Sequence, residues 1–565
     1  MPVYFNDALD DTLLYDRQAS FIGGQVSNFR ENLLNESQAE LIKDLAPEIN
    51  GVLKTRRGFH RFANLLGSTS SSTNVQTLHF FDSDSRERLI AAVNGSLYEI
   101  ESNGTVTAIS AVAGSLDPAS TPAYMCQIAD KMYWSSDSSS NKIFELKYSS
   151  GAWVKTVSTD TTYPADAKYL IANSGRVFAY DPSGNQIFVS TILPNLASTS
   201  TLFTTGGTTI NPFKVGTGAE TVTGMYSWVG VNVVVFCENS VYVVDTNPLT
   251  AAAASAGNAT STFTIRQVSN KSGAISHRAV AQVGEDLLYL SRDGVRSLKR
   301  TMAEEMVANT AGVISYPIQD LIDRINWSAA VQKAAATFWG GNYLLSVPLD
   351  SSPDNNALLV YNVNTNSWGG FWQGNASYQV KAIDFAVAAF NGYAEKLITL
   401  DKIGNPLEFR DYVNPDNAVA TDYQDTFDGS TYRDTAWQAV TRGLAFGDQL
   451  SPKSGDFVEY EFDRSNAKVD IIPILDGDEG ERLVTNLETG SGVVTITSAP
   501  AAPVLPFTLP DAKVRRFRYS LTQYDPFREL QFKLQQSTGD TTGDKYVALR
   551  SVQAGAFIDT MEADL

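Results

Sequence analysis

Short apolar stretches separated by polar turns run through this chain from about residue 75 to about residue 410. One unit recurs: an apolar strand, a turn, a second strand ending in an aromatic or aliphatic pair, then a polar turn. Residues 89–100 hold one copy. Others are 131–134 with 142–146, 176–180 with 186–190, 231–236 with 240–244, 286–290 with 294–298, 342–347 with 357–362, and 396–400 with 406–409. Asn94-Gly95, Asp293-Gly294 and Gly404-Asn405 stand where paired strands must reverse, and such dipeptides favour tight hairpins. Copies recur at about 40 to 60 residues, the period of four-stranded propeller blades. Each blade covers its faces with its neighbours, so the array must be complete to be stable. Six or seven blades fit.

The flanks have a different pattern. In 36–45, apolar Leu41, Ile42 and Leu45 predict a short amphipathic helix, with Asn35 as N-cap, Gln38 three residues on and Pro47 closing it. Residues 68–73 read as a Gly/Ser/Thr linker. A second short helix is predicted over 316–325, with Pro317 in its first turn and a stripe of Ile318, Leu321, Ile322 and Ile325. Residues 411–432 read as a connector. Alternating strands then return at 457–462, 468–475, 516–521, 529–534 and 547–552. Arg516-Phe517-Arg518-Tyr519 has one wet and one buried face, as in an antiparallel sandwich. The expected architecture is all-β: an N-terminal arm (1–72), a β-propeller of six or seven blades (73–410) and a C-terminal antiparallel β-sandwich (411–565).

Composition narrows the function. The 565 residues are too many for one ordinary core. The formal charge is −19, and residues 411–565 carry 25 acidic against 14 basic side chains. Duplex binding needs Lys and Arg to displace counterions, so a sequence-reading DNA surface is not expected. An acidic wall would still let DNA slide past; plain solubility is the simpler explanation of the charge. No apolar run is long enough to span a membrane, and the opening Met1-Pro2-Val3-Tyr4 has neither a basic start nor an apolar run, so synthesis in a cytoplasm is expected. Cys126 and Cys237 sit in apolar strands and are expected to be buried free thiols.

Catalytic patterns are missing. His60, His79 and His277 are far apart, and His277 beside Arg278 reads as a satisfied turn residue. There is no Gly-x-Ser-x-Gly and no phosphate-binding Gly-rich loop. Ser291-Arg292-Asp293-Gly294 and Ser135-Ser136-Asp137 lack the full repeat of propeller sialidases, and Asp82 and Asp84 read as turn residues. In 476–481, an EF-type Ca²⁺ loop would need Glu where Leu487 stands, so a solvated hairpin turn is expected. Trp327, Trp339, Trp368 and Trp372 read as blade-core or interface aromatics. No catalytic, cofactor or metal residue is assigned. Lys54, Arg56 and Arg57 form the one compact basic cluster of the arm and are candidate contacts to a neighbouring subunit or adaptor.

The arm's landmarks are Gly23-Gly24, Leu33-Leu34, Gln38-Ala39, Asn50-Gly51 and Arg57-Gly58. In that order they resemble the opening of the tail nozzle proteins of short-tailed bacteriophages, the tail tubular protein B and tail stabilisation protein family. Further blocks follow in the family's order: 175–190 with Pro194, 222–242, 273–295 and 359–368. The resemblance covers roughly residues 20 to 375; the sandwich is similar only in type. It implies a virion structural protein of the tail, without enzymatic activity or cofactor. Six copies would form a ring below the head-to-tail adaptor, docking tail fibres and passing phage DNA during ejection. The alternative is a propeller that binds or cleaves polysaccharide as a receptor-binding tail protein.

Overall fold

The computed structural model describes residues 13–65, 74–83, 86–112, 116, 122–135, 143–158, 167–190, 202–205, 208–209, 212–216, 218–246, 263–306, 312–375, 378–392, 394–410, 420–447, 449–463, 467–488, 514–537 and 546–558. The predicted linker at 68–73 and Pro194 lie outside them.

All seven strand pairs read from the sequence form as antiparallel pairs, six in small sheets of their own and the sixth within a larger sheet. Blade 1 is Val75–Ser83, Arg86–Val93, Ser96–Ile100 and Val106–Ala108; blade 2 is Tyr124–Ile128, Lys131–Ser135, Phe144–Ser149 and Ala152–Val157. Blade 3 is Lys168–Asn173, Arg176–Asp181 and Gln186–Val189, extended by a bridge from Ile187 to Phe213. Blade 4 is Val222–Trp228, Asn232–Cys237, Val241–Asp245 and Thr264–Ser269. Blade 5 is Val280–Val283, Asp286–Ser291 and Gly294–Ser297, extended by a bridge from Arg296 to Val313. Blade 6 is Ala335–Trp339, Asn342–Val347, Ala357–Asn362 and Ser367–Trp372.

Blade 7 is completed from the far end of the chain. Ala382–Ala388, Lys396–Asp401 and Pro406–Phe409 take Phe59–Arg61 of the arm as their outer strand, Phe409 opposite Phe59. The ring closes between blades 7 and 1, where the Asp384 carboxylate accepts hydrogen bonds from Thr77 Oγ1 and the Leu78 N–H. Closure by a sequence-distant strand ties the ring's integrity to the arm.

The sandwich also draws strands from the arm. One sheet joins Val514–Ser520, Lys453–Asp463 and Ala548–Ile558 to Leu14–Gln18, Leu53–Thr55 and Leu45–Pro47. The second joins Gln438–Val440, Leu530–Gln536, Lys468–Leu475, Asp478–Glu479 and Val484–Glu488. Alternation in Lys453–Asp463 buries Val458, Tyr460 and Phe462 between the sheets and turns Glu459 and Glu461 outward.

The helix expected over 36–45 does not form. Those residues make strands Gln38–Ala39, Leu41–Lys43 and Leu45–Pro47. Leu41–Lys43 pairs in parallel with the last strand of blade 6, through Phe371 and Lys43, and antiparallel with Gln438–Val440. One continuous ten-stranded sheet thus crosses from propeller to sandwich. Backbone partners on both sides outweigh a weak helical stripe, because a short isolated helix is marginal. The capping signature survives as a turn: Gln38 Oε1 accepts from the Asn35 N–H at 3.1 Å, and Asn35 O accepts from the Gln38 N–H at 3.0 Å.

The helix over 316–325 does form, as a 3-10 turn Tyr316–Ile318 leading into Gln319–Asp323, with Ile318, Leu321, Ile322 and Ile325 all buried. The loop at 476–481 is a hairpin turn, with Asp476 and Gly477 at positive φ between Leu475 and Asp478. Among the described residues no cluster of His, Cys, Asp and Glu has metal-binding geometry. No helix is long and apolar enough to cross a membrane, among the residues described.

Candidate functional site

Two places gather side chains from many elements: the hub of the propeller, and the junction where the arm fastens propeller to sandwich.

At the hub sits the 3-10 turn His277–Ala279, leading into blade 5. The His277 ring lies 5.9 Å from Tyr124 of blade 2 and 5.1 Å from Tyr169 of blade 3. The Met225 N–H of blade 4 points at its Nδ1 over 3.4 Å. Arg278 reaches the other way and donates to the Ile383 carbonyl of blade 7 at 3.1 Å. Side chains of this one turn therefore meet four other blades at the centre of the propeller. Burial pushes His277 down to about 4, and the neighbouring Arg278 charge adds to the effect, so the ring is neutral at pH 7. The expectation of a satisfied turn residue holds for His277. The sequence did not reveal that this turn lies on the axis. A dipeptide has no periodicity to mark it, and only the ring brings four blades to it.

At the junction, Arg56 is enclosed completely. Its Nε donates to Asp44 Oδ1 at 2.7 Å, and its two Nη groups donate to Asp425 at 2.9 and 2.6 Å. All three side chains are at most 1% exposed. Asp44 also accepts from the N–H groups of Gln373 and Gly374 at the end of blade 6, and Asp425 from the Phe59 N–H. Burial works against the guanidinium charge, but Asp425 and Asp44 outweigh it and hold Arg56 well above its ordinary value. The planar fork suits this place, since one arginine satisfies two carboxylates from two directions.

Arg56 is thus a correction to the sequence reading. It is consumed inside its own chain and presents nothing to a neighbour. Lys54 is half-buried and pairs with Glu48 at 2.6 Å. The Arg57 guanidinium lies 4.3 Å from the centre of the Tyr423 ring. Its position two residues before Phe59 puts Arg57 at the same junction.

Two glycines show how closely the arm is fastened. A Cβ on Gly24 would lie 2.1 Å from the Trp368 carbonyl oxygen of blade 6, and Gly24 has φ of +70°. A Cβ on Gly58 would lie 1.8 Å from the Gln424 carbonyl oxygen of the connector. Only a residue without a side chain fits either approach. Trp368 is buried and its Nε1–H donates to the Ile314 carbonyl at 2.9 Å; Trp372 does the same to Leu45 of the arm at 3.0 Å. Both tryptophans are blade-core aromatics, as expected. Cys126 and Cys237 are free and buried.

No family model and no curated protein sequence matches this chain. Among solved structures, it is similar to the extracellular domain of BT3049 from B. thetaiotaomicron: 10% identity, TM-score 0.41, covering 92% of this chain and 61% of that one. It is also similar to the extracellular domain of BT4673 from the same organism, with 9% identity, TM-score 0.40, 92% of this chain and 62% of that one. The AfRom2 CNH domain is matched over 100% of its length and 64% of this chain, with 12% identity and TM-score 0.32. This chain spans about three fifths of the two B. thetaiotaomicron domains. The assignment of an all-β propeller with a sandwich rests on the strand pairing itself.

Proposed function

We propose that this chain is a structural subunit of a short-tailed bacteriophage tail nozzle, a virion tail protein whose copies form a ring that extends the tail tube and conducts DNA during ejection. The observation that carries the reading is where the family-like blocks fall. Gly24 docks on Trp368 while Ser367 Oγ donates to the Ile22 carbonyl, Gly23 abuts Ser37 and Gln38, Gln38-Ala39 pairs with Gly24-Gln25, and Arg57-Gly58 docks on the connector. Within the propeller, block 222–242 meets block 273–295 where Thr223 Oγ1 donates to Ala274 O at 2.6 Å. The resemblance in the arm and propeller is therefore a resemblance of fastening points, which a part under mechanical load requires.

Because the side chains of His277 and Arg278 occupy the hub, the passage for DNA is assigned to the space between copies, not to the centre of a propeller. A ring needs heterologous contacts that close on themselves. Strands of the arm between 13 and 65 are paired within the chain, so those contacts are assigned to the outer faces of the propeller and sandwich. The work is mechanical, with no catalytic residue or cofactor. The partners are further copies of the chain, in a six-membered ring, with adaptor proteins above and fibres beside it.

The test is image averaging of the purified chain at rising concentration and of particles that contain it. A six-fold ring with an axial opening below the head-to-tail connector is expected. A protein absent from the tail, or one that never forms a closed ring in the particle, overturns the reading.

A further inference from the structure

The outward face of the first sandwich sheet has a groove of about 260 Å³ lined by Arg17, Glu459, Glu461, Arg516, Arg550 and Gln553. We infer that this groove binds an acidic polysaccharide, a chain of sugars carrying spaced carboxylates.

The argument begins with the arginines. Elsewhere in the molecule guanidinia such as Arg56 and Arg324 are committed to carboxylates at 2.6–2.9 Å. Here Arg516 stands 4.0 Å from Glu459 and 3.8 Å from Glu461, and Arg550 stands 3.6 Å from Glu461. Those distances are beyond hydrogen bonding. Glu459 and Glu461 hold the guanidinia in place by charge and leave their N–H donors open. Arg516 is 66% and Arg550 49% exposed.

One exposed aromatic ring continues the same face. Tyr15, 57% exposed, lies 5.9 Å from Phe457, which is buried beneath it and beneath the Arg518 guanidinium, 3.5 Å from the ring centre. Strand register puts Tyr15 and Phe457 opposite Gly555, and Arg17 and Glu459 opposite Gln553, one row apart. The face thus offers an aromatic surface for a sugar ring, paired acceptors and donors for hydroxyls, and two open guanidinia for a carboxylate.

Charge selects the occupant. Arg17, Arg516, Arg518 and Arg550 are matched by Glu36, Glu459, Glu461 and Asp463 on this face, so it is balanced in sign within a chain of net charge −19. A nucleic-acid strand needs an excess of Lys and Arg to displace its counterions, and this face carries no such excess. One carboxylate per sugar with hydroxyls between them fits the alternation. The lining holds no apolar pocket to receive the side chains of a peptide.

The test is titration calorimetry of the full chain with tetragalacturonate, maltotetraose, a poly-glutamate peptide and a single-stranded oligonucleotide. Saturable binding of tetragalacturonate alone is expected. It should weaken at least tenfold in Arg516→Ala/Arg550→Ala and in Tyr15→Ala, and also as salt rises. The exposure of these side chains leaves folding intact, checked by circular dichroism; Arg516→Gln serves if the double variant does not fold. No binding of tetragalacturonate, equal binding of the peptide or oligonucleotide, or binding indifferent to the variants overturns the inference. So does a self-association that the Arg516→Ala/Arg550→Ala variant abolishes. None of these results bears on whether copies form a tail ring through other faces.

Discussion

Replacing Arg56 by Met keeps most of the volume at the junction and removes the charge. Two carboxylates are then left facing each other in a site at most 1% exposed. Asp44 keeps the N–H groups of Gln373 and Gly374, and Asp425 keeps the Phe59 N–H; one carboxyl of the pair must take up a proton, and burial already pushes the Asp44 carboxyl up. Neutralising an ordinary aspartate at pH 7 costs about 4 kcal/mol, since each pKa unit is worth about 1.4 kcal/mol. The same figure follows from the range of about 3–5 kcal/mol for breaking a buried ion pair by removing one partner. At pH 5 the protonation cost is only about 1.5 kcal/mol. The variant takes up a proton on folding, so its deficit against the wild type should shrink by about 2.5 kcal/mol between pH 7 and pH 5. Urea denaturation at both pH values, following the first transition of each protein, measures this. A deficit that stays the same at the two pH values would mean that packing, not charge, is what Arg56 supplies, and the reasoning would be wrong.

Gly58→Ala drives a methyl group onto the Gln424 carbonyl, and overpacking of this kind costs about 2–3 kcal/mol; limited proteolysis should cut the arm faster than in the wild type, and an unchanged rate would refute the close approach. His277, with its pKa pushed from the ordinary 6.5 to about 4, binds fewer protons folded than unfolded, so its contribution is complete above pH 6.5 and is lost as pH falls toward 4, about 3 kcal/mol in all. His277→Gln should remove that slope from the stability–pH curve, read as the difference from wild type, and a slope that persists would place the titration elsewhere. Cys126 and Cys237 should resist thiol reagents in the native protein and react on unfolding, because burial pushes both thiols up, Cys237 to about 11; rapid native labelling would contradict their burial.

Much of the fold was legible along the chain because its elements are local. Each blade's paired strands are close in sequence, their apolar periods are intact, and turns such as Asn94-Gly95 mark the reversals; Asn94 and Gly95 both take the positive φ that such a turn needs. The alternation of Arg516-Phe517-Arg518-Tyr519 likewise marked a strand with one wet face. The arm was misread where its backbone partners are remote. Leu41–Lys43 is a strand because Phe371 lies on one side and Gln438–Val440 on the other, more than 300 residues away. Nothing within the window 36–45 announces either partner.

Charge gives the same lesson. The sequence determined that Lys54, Arg56 and Arg57 stand together, and side by side they look like a surface patch. Tertiary structure decided that the middle one is locked between Asp44 and Asp425, because only the completed junction supplies two carboxylates and excludes water around them. Strand periodicity is a property of neighbouring residues and can be read from them. Burial of a charge depends on what the rest of the chain brings to it, and only the folded molecule fixes that.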